Sequence, residues 1–238
     1  MKYAIDLHIH SCLSPCGDMD MTPNNIVNMA ILKGLDIISV TDHNTTYNLP
    51  AINKVALDSG IMLIPGIEVQ TKEEVHMLCY FRSIDSALDF GNLIYSKLPN
   101  IKSNKDIFGE QVIMDCKDNI IGETDKLLLS SSDISISNVV NLANEFGGVS
   151  IPAHIDRNSY SIISNLGFIP PDLDIKAAEI SRNMDFDTFK KAFPYIKYLR
   201  LIKSSDAHYL WDIFERESFI QLDELTMTNV LNYIKGKS

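Results

Sequence analysis

Short apolar runs alternate with amphipathic stretches along the first third of the chain. The apolar runs predict strands at residues 3–7, 37–40, 62–67 and 76–81. Amphipathic stretches at 23–33 and 52–59 predict helices. Thr22 can cap the first helix with Pro23 in its first turn, and Gly60 can end the second. Strands that alternate with helices in this way indicate a mainly parallel sheet.

The same alternation returns in the second half of the chain. Strands are predicted at 149–151, 177–180 and 199–203, and helices from Ser137 to Phe146 and over 226–234. Residues 82–135 break the rhythm, because they contain only one predicted helix, 86–97, and a hairpin turn at 116–119. Such a segment is either a functional lid or a surface insertion, and its length alone leaves both interpretations open.

The composition predicts a single α/β domain over residues 1–238, because 45% of the chain is apolar and can bury a full core. No apolar run is long enough for a membrane span, and the N-terminus carries no signal-peptide pattern. Four cysteines fit a reducing compartment, so the predicted location is the cytoplasm. The net charge of −10, with no cluster of Lys or Arg, argues against a long nucleic acid as partner. The oligomeric state is left open.

Histidines and acids are grouped in a way that is typical of metal ligands. They occur in the segments Asp6-Leu7-His8-Ile9-His10, Thr41-Asp42-His43, Gly66-Ile67-Glu68 and Ser205-Asp206-Ala207-His208, with His76 and His154 completing the set. Neutral imidazole and carboxylate are the usual ligands of Zn, Mn and Fe. His8 and His10 are two residues apart on a strand, so they share one face about 6.6 Å apart and can hold one ion.

Several of these candidates follow a predicted strand, although they are far apart in sequence. They are His43, Glu68, His154, Asp206 and His208. In a parallel α/β barrel the carboxyl ends of the strands converge on one mouth, which predicts a single cluster. Glu68 alone can equally be a surface acid, but Gly66 beside it indicates tight backbone geometry.

The four segments, in this order, resemble the motifs of the PHP family (polymerase and histidinol phosphatase), and the resemblance covers nearly the whole chain. It implies a distorted (β/α)7 barrel similar to the TIM barrel. It also implies two or three divalent metal ions at the C-terminal mouth and hydrolysis of phosphoesters. Zn, Mn and Fe all accept these ligands, so the identity of the metal is left open.

The resemblance also implies a role for each ligand. One ion would be held by His8, His10, Glu68 and Asp206, a second by Glu68, His76 and His154, and a third by His43, His208 and a residue of the loop after His10. Family members have Asp or His in that loop. Asp18 is the candidate here, although it lies two residues late, and Cys16 competes because thiolate is a good zinc ligand. Glu68, Asp206 and His208 are the residues expected to act in catalysis.

Two arginines are candidate phosphate ligands, since guanidinium binds phosphate through two parallel hydrogen bonds. Arg157 follows His154 by three residues, and Arg182 follows the predicted strand 177–180. A surface ion pair is the alternative for both. Glu179 can be a core-edge acid paired with one of them.

These expectations combine into a metal-dependent phosphoesterase. A divalent metal lowers the pKa of bound water from about 15.7 towards 7, which supplies hydroxide at neutral pH. The acidic chain favours a small phosphomonoester or a nucleotide as substrate. One alternative is an exonuclease that acts on short nucleic-acid ends. Another is a non-catalytic metal-binding scaffold, against which the complete ligand set argues.

Overall fold

A computed structural model describes residues 1–237 of the chain. The strands are β1 (Lys2–Ile9), β2 (Ile37–Val40), β3 (Met62–Leu63), β4 (Gly66–Gln70), β5 (His76–Tyr80), β6 (Val112–Met114), β7 (Ile120–Glu123), β8 (Val149–Pro152), β9 (Ala177–Ile180), β10 (Arg200–Lys203) and β11 (Phe219–Gln221). The helices are α1 (Pro23–Leu32), α2 (Leu49–Ser59), α3 (Ile84–Ser96), α4 (Lys105–Phe108), α5 (Ile136–Glu145), α6 (Ile162–Leu166), α7 (Phe186–Ala192) and α8 (Met227–Ile234). Two 3₁₀ turns lie at Pro194–Ile196 and Leu210–Asp212.

The strands form a mixed α/β fold with parallel and antiparallel pairs. The largest sheet has the order β11-β1-β2-β3, a second has the order β4-β5-β8, and β9–β10 and β6–β7 form two separate pairs. Within residues 1–237, the hydrogen-bonded strands therefore do not close into one continuous barrel. The pairs β1–β2, β2–β3 and β9–β10 are parallel, whereas β5 is antiparallel to β4 and β8, and β11 to β1. The prediction of a mainly parallel sheet was therefore wrong for β5 and missed β11.

Strand β1 lies at the centre of this arrangement. Ile5 and Leu7 belong to one hydrophobic cluster, while Ala4 and Ile9 belong to another. The strand is thus buried on both faces, as strands in α/β proteins usually are. Asp6 is also buried in it and accepts hydrogen bonds from the backbone of the segment after β10. Burial raises the pKa of Asp6 to about 6, although those hydrogen bonds act in the opposite direction.

Several predicted boundaries are confirmed and two need correction. Thr22 caps α1 by accepting a hydrogen bond from Asn25, and Gly60 ends α2 with a φ of 75°. Ser135, not Ser137, caps α5, because its Oγ is the one that accepts from the first turn. The strand predicted at 62–67 is two strands. Pro65 lies between them and has no N–H to continue the pairing of β3.

The segment 82–135 is hydrogen-bonded to the loops after β1 and β2. Its hairpin, β6–β7, confirms the predicted turn. Asn48 accepts a hydrogen bond from Met114 at 2.9 Å, and Asn44 donates to the carbonyl of Leu128 at 2.8 Å. Asp118 binds the N-terminus of α1 through Thr22 and Asn24. These contacts attach the segment to the rest of the fold.

Within residues 1–237, no helix combines the length and the apolar character that crossing a bilayer requires.

Candidate metal centre

The predicted ligands are brought together at one edge of the sheets. His8 belongs to the end of β1, and His10 follows that strand directly. His43 follows β2, His154 follows β8, and Asp206 and His208 follow β10. His76 is different because it is the first residue of β5. Since β5 is antiparallel, its beginning lies at the edge where the parallel strands end.

Glu68 reaches the same edge from the middle of β4 because this strand packs closely against β2. A backbone bridge joins His43 to Glu68. A Cβ atom at Gly66 would lie 2.4 Å from Ser39 Oγ and 2.6 Å from Thr41 Cγ2, so the close approach requires glycine. The tight geometry inferred from Gly66 is therefore present.

The Glu68 carboxylate lies at the centre of five imidazole rings. Its oxygens are 2.9 Å from His43 Nδ1 and from His76 Nδ1, and 3.4 Å from the Nε2 atoms of His8, His10 and His154. Asp206 Oδ1 lies 3.2 Å from His8 Nε2 and 3.1 Å from His10 Nε2. These two imidazole nitrogens are themselves only 3.1 Å apart. Carboxylate oxygens and imidazole nitrogens, which can donate electron pairs to a metal ion, therefore lie close together.

The donor set fits divalent metal ions. Both carboxylate oxygens of Glu68, His76 Nε2 and His154 Nδ1 are buried without an aligned hydrogen bond, despite the short contacts of Glu68. Buried polar atoms in this condition are uncommon and call for an explanation. Three groups of ligand atoms lie within 4.8 Å of one another: His8, His10 and Glu68; His43, Glu68 and His76; and His10, His43 and His208.

Charges within the cluster keep its two acids ionised. Burial alone would raise the pKa of Glu68, but the surrounding imidazoles hold it well below its usual range. The pKa of Asp206 is also held low, by His8 and His10 against the effect of burial. Burial lowers the pKa of His76 to about 4 and that of His208 to about 3. Both acids are therefore ionised at neutral pH, and both of these imidazoles are neutral.

A second carboxylate, Glu179 on β9, orients His8. Its oxygens lie 3.1 and 3.0 Å from His8 Nδ1, and one of them also accepts from the backbone N–H of His154 at 3.0 Å. Burial would lower the pKa of His8, but Glu179, Asp206 and Glu68 raise it well above its usual value. The Nδ1–H donates to Glu179, so Nε2 faces the cluster. The predicted pairing of Glu179 with an arginine is therefore replaced by a contact with His8.

Asp42 orients His10 through a hydroxyl group. It accepts hydrogen bonds from the Oγ atoms of Ser11 and Ser14 at 2.6 and 2.7 Å. Ser14 Oγ in turn lies 2.9 Å from His10 Nδ1. Asp42 therefore holds the loop after β1 and the ring of His10 in place, while its neighbour His43 faces Glu68.

Two of the ligands have strained backbones. His154 has a φ of 26° and Asp206 a φ of 53°, both in the left-handed region that non-glycine residues rarely adopt. Strain of this kind persists only where surrounding contacts enforce it, and it is concentrated at functional sites.

The two predicted arginines have different environments. Arg157 Nη1 lies 2.6 Å from Asp206 Oδ2, and the side chain, 44% exposed, lines a cavity of about 130 Å³ beside the metal ligands. Arg182 instead pairs with Glu217 at 3.2 Å and lies over the ring of Phe214. Arg182 is not among the residues that line the cavity.

The two candidate ligands for the third ion, Asp18 and Cys16, both lie in the loop after β1, and their contacts differ. Asp18 Oδ1 accepts a hydrogen bond from the backbone of Asp20 at 2.8 Å, so this oxygen is engaged within its own turn. The backbone N–H of Asp18 donates to the carbonyl of His208. Burial would lower the pKa of His43, but Glu68 and a side-chain hydrogen bond with Cys16 help to raise it to about 9. Cys16 is exposed and close to His43, but it is not part of any of the three groups of ligand atoms.

Comparison with known families identifies the chain. The PHP domain matches residues 6–164, which is more than half of the sequence. The chain belongs to the PHP domain family. This confirms the resemblance stated from the sequence motifs, and PHP membership supports the expected class of metal-dependent hydrolase.

Individual relatives are similar over limited regions. A stretch of 79 residues is 37% identical to the 5′-3′ exoribonuclease Rnm of Salmonella typhimurium and covers 32% of this chain and 26% of that protein. A stretch of 78 residues is 31% identical to phosphoribosyl 1,2-cyclic phosphate 1,2-diphosphodiesterase of Eggerthella lenta and covers 31% of this chain and 29% of that protein. The matches thus span little more than a quarter of these PHP relatives.

The fold is similar to that of a lesion-specific endonuclease. The crystal structure of endonuclease Q from Pyrococcus furiosus superposes with a TM-score of 0.73 at 21% identity. The superposition covers 100% of this chain and 57% of the endonuclease chain. At this level of identity the likeness concerns the PHP fold alone.

Removal of the carboxylate that orients His8 is expected to weaken metal binding. Glu179→Ala should reduce affinity about ten- to a hundredfold, as loss of partners behind metal-bound histidines does. Glu179→Gln, which retains an acceptor, should lose less. Competition with a chelator measures the affinity, and Glu217→Ala, at an exposed acid, is the control. Unchanged affinity in Glu179→Ala would contradict the orienting role.

Proposed function

We propose that this PHP chain is a metal-dependent phosphoesterase that hydrolyses a phosphomonoester, a nucleotide or the end of a nucleic acid. The observation that carries the proposal is the buried Glu68 carboxylate among five imidazole rings, next to a cavity lined by Arg157. Metal ions held by such ligands would activate the nucleophile, and guanidinium would recognise the phosphate.

The proposed cofactors are two to three divalent ions, either Zn, Mn or Fe. The ligands would be His8, His10, Glu68 and Asp206 for one ion, Glu68, His76 and His154 for a second, and His43, His208 and a residue of the loop after β1 for a third. Bound divalent ions would activate water and stabilise the charge of the phosphoryl group. In this scheme Glu68 would contribute to two sites, while Asp206 contacts Arg157, and Asp206 and His208 line the cavity where the substrate would bind.

Arg157 is the proposed phosphate ligand of the protein. Its guanidinium contacts Asp206 at 2.6 Å and is half-exposed, so it can turn from that carboxylate towards phosphoryl oxygens entering the cavity. It would orient the phosphorus against the ligand cluster and balance negative charge that accumulates during the reaction. Arg182 has no such access, because it does not line the cavity.

The overall architecture proposed for the chain is one domain with a distorted (β/α)7 barrel. The convergence of strand ends from all the larger sheets on one cluster supports this interpretation. Segment 82–135 belongs to the same unit, since it is hydrogen-bonded to the loops after β1 and β2.

Two classes of substrate remain in the proposal. The acidic composition favours a small phosphorylated compound or a nucleotide. The similarity to an exoribonuclease and to the fold of endonuclease Q favours a nucleic-acid end. The expectation that a long nucleic acid is an improbable partner therefore finds no support among the relatives. A non-catalytic scaffold is disfavoured by the complete set of ligands.

Phosphate release and oligonucleotide shortening distinguish these substrates. Protein loaded with Mn or Zn should release phosphate from sugar phosphates or nucleotides, or shorten 5′-labelled and 3′-labelled oligonucleotides. Glu68→Gln should abolish either activity, because the central carboxylate is lost. Absence of hydrolysis across the whole panel, with metal content verified, would refute the proposed function.

Loss of the Arg157 guanidinium is expected to weaken substrate recognition without loss of metal. A hydrogen bond to a charged group contributes about 1.5–3 kcal/mol. Arg157→Ala should therefore lower kcat/KM roughly ten- to a hundredfold. Arg157→Lys should recover only part, since ammonium lacks the planar fork. Arg182→Ala is the matched control, and wild-type efficiency in Arg157→Ala would show that the residue is structural.

Cys16 is the ligand that we assign to the third ion, because of its contact with His43 and the engagement of Asp18 with Asp20. Protein reconstituted with Co²⁺ should show a thiolate-to-cobalt charge-transfer band. Cys16→Ser should remove the band, whereas Asp18→Asn and the control Cys116→Ser should retain it. Absence of the band in the wild type with cobalt bound, or a band that survives Cys16→Ser, would contradict the assignment.

A further inference from the structure

The cavity at the metal centre is too small to enclose a complete nucleotide. Its volume is about 130 Å³, and its lining includes Arg157, Ser159 and Tyr160 beside the ligands. Pockets that enclose drug-sized molecules usually measure about 300–1,000 Å³. A phosphoryl group therefore fits inside the cavity, while the rest of a larger substrate must lie on its rim.

Tyr160 provides an aromatic surface on that rim. Its ring stacks on the imidazole of His76, with centroids 4.8 Å apart and an interplanar angle of 19°. One face of the ring is thus covered by a metal ligand, and 46% of the residue is still exposed. An exposed tyrosine ring beside the cavity offers a flat apolar surface for a planar group.

The position of this ring is fixed by the backbone around it. Tyr160 has a φ of 53°, which a bulky non-glycine residue adopts only under constraint. The backbone N–H of His76 donates to the carbonyl of Tyr160 at 2.9 Å. Ser161 Oγ donates to the carbonyl of Arg157 at 2.7 Å and holds the intervening residues in a turn. The same turn therefore presents the guanidinium and the ring.

We infer that Tyr160 is a specificity-determining residue that stacks on the base next to the scissile phosphate, so that the substrate is a nucleotide or a nucleic-acid end and not a sugar phosphate. This inference rests on the proposed function, because it requires the phosphate to bind at Arg157 and the ligand cluster. Base–aromatic stacking tolerates different base sequences, since every base has a π-face. The preference should therefore be for the presence of a base and not for its identity.

Pairs of substrates that differ only in the base test the inference. One pair is a nucleoside 5′-monophosphate and ribose 5-phosphate, and the other is an oligonucleotide with a normal or an abasic terminal residue. The metal-loaded full chain is compared as wild type, Tyr160→Phe, Tyr160→Leu and Tyr198→Leu. Tyr198 is a matched control, because it is an exposed tyrosine that does not line the cavity.

Tyr160→Leu should lower kcat/KM for the base-bearing member of the pair roughly five- to a hundredfold, with the base-free member changed by less than about twofold. Tyr160→Phe should keep the preference, and Tyr198→Leu should behave as wild type. Metal content should be the same in all four proteins. Equal losses on both members, or a loss of metal in Tyr160→Leu, would show that the ring only supports His76 and would overturn the inference. If the wild type hydrolyses neither member of either pair nor any other phosphoester, the proposed function itself fails.

Discussion

The ionised carboxylate of Glu68, buried among five imidazole rings, is the interaction on which the rest of the structure depends. Burial of an isolated carboxylate is strongly unfavourable, and here the surrounding rings keep its pKa below the usual range. Those rings come from different strands and the loops after them. Correct formation of the cluster therefore requires that the ends of several sheets converge. It also requires glycine at position 66, where β4 packs against β2.

Groups behind the ligands hold this arrangement in place. Glu179 binds the far side of His8, and Ser14 with Asp42 binds the far side of His10. Each contact fixes which imidazole nitrogen faces the cluster. The segment 82–135 is hydrogen-bonded to the loops that carry His43 and Cys16. The cavity at the cluster is lined by the turn that carries Arg157 and Tyr160.

The sequence predicted the grouping of these histidines and acids better than the direction of the strands that carry them. The spacing of His8 and His10, and a His or Asp after a predicted strand, are local signals that do not depend on the order of the strands. The direction of β5 is not a local signal, so the sequence could not show that the start of this strand lies beside the ends of the parallel strands. Asp18 and Cys16 are separated by two residues, and only the hydrogen bond of Asp18 within its own turn distinguishes them. Arg182 and Arg157 have the same chemistry and each pairs with an acid, but only Arg157 lines the cavity at the cluster. The sequence predicts an arginine as the partner of Glu179, whereas the structure pairs Glu179 with His8, which is distant in sequence.

Elemental analysis of protein purified without chelators tests most directly whether this cluster is a multinuclear metal site. The account predicts about two or more transition-metal ions per chain for the wild type, because two-metal phosphoesterase sites share a bridging carboxylate environment of this kind. It predicts a large loss of metal in Glu68→Gln, which removes the central charge and keeps the shape of the side chain. Less than about one ion per chain in the wild type, or an unchanged metal content in Glu68→Gln, would contradict the account.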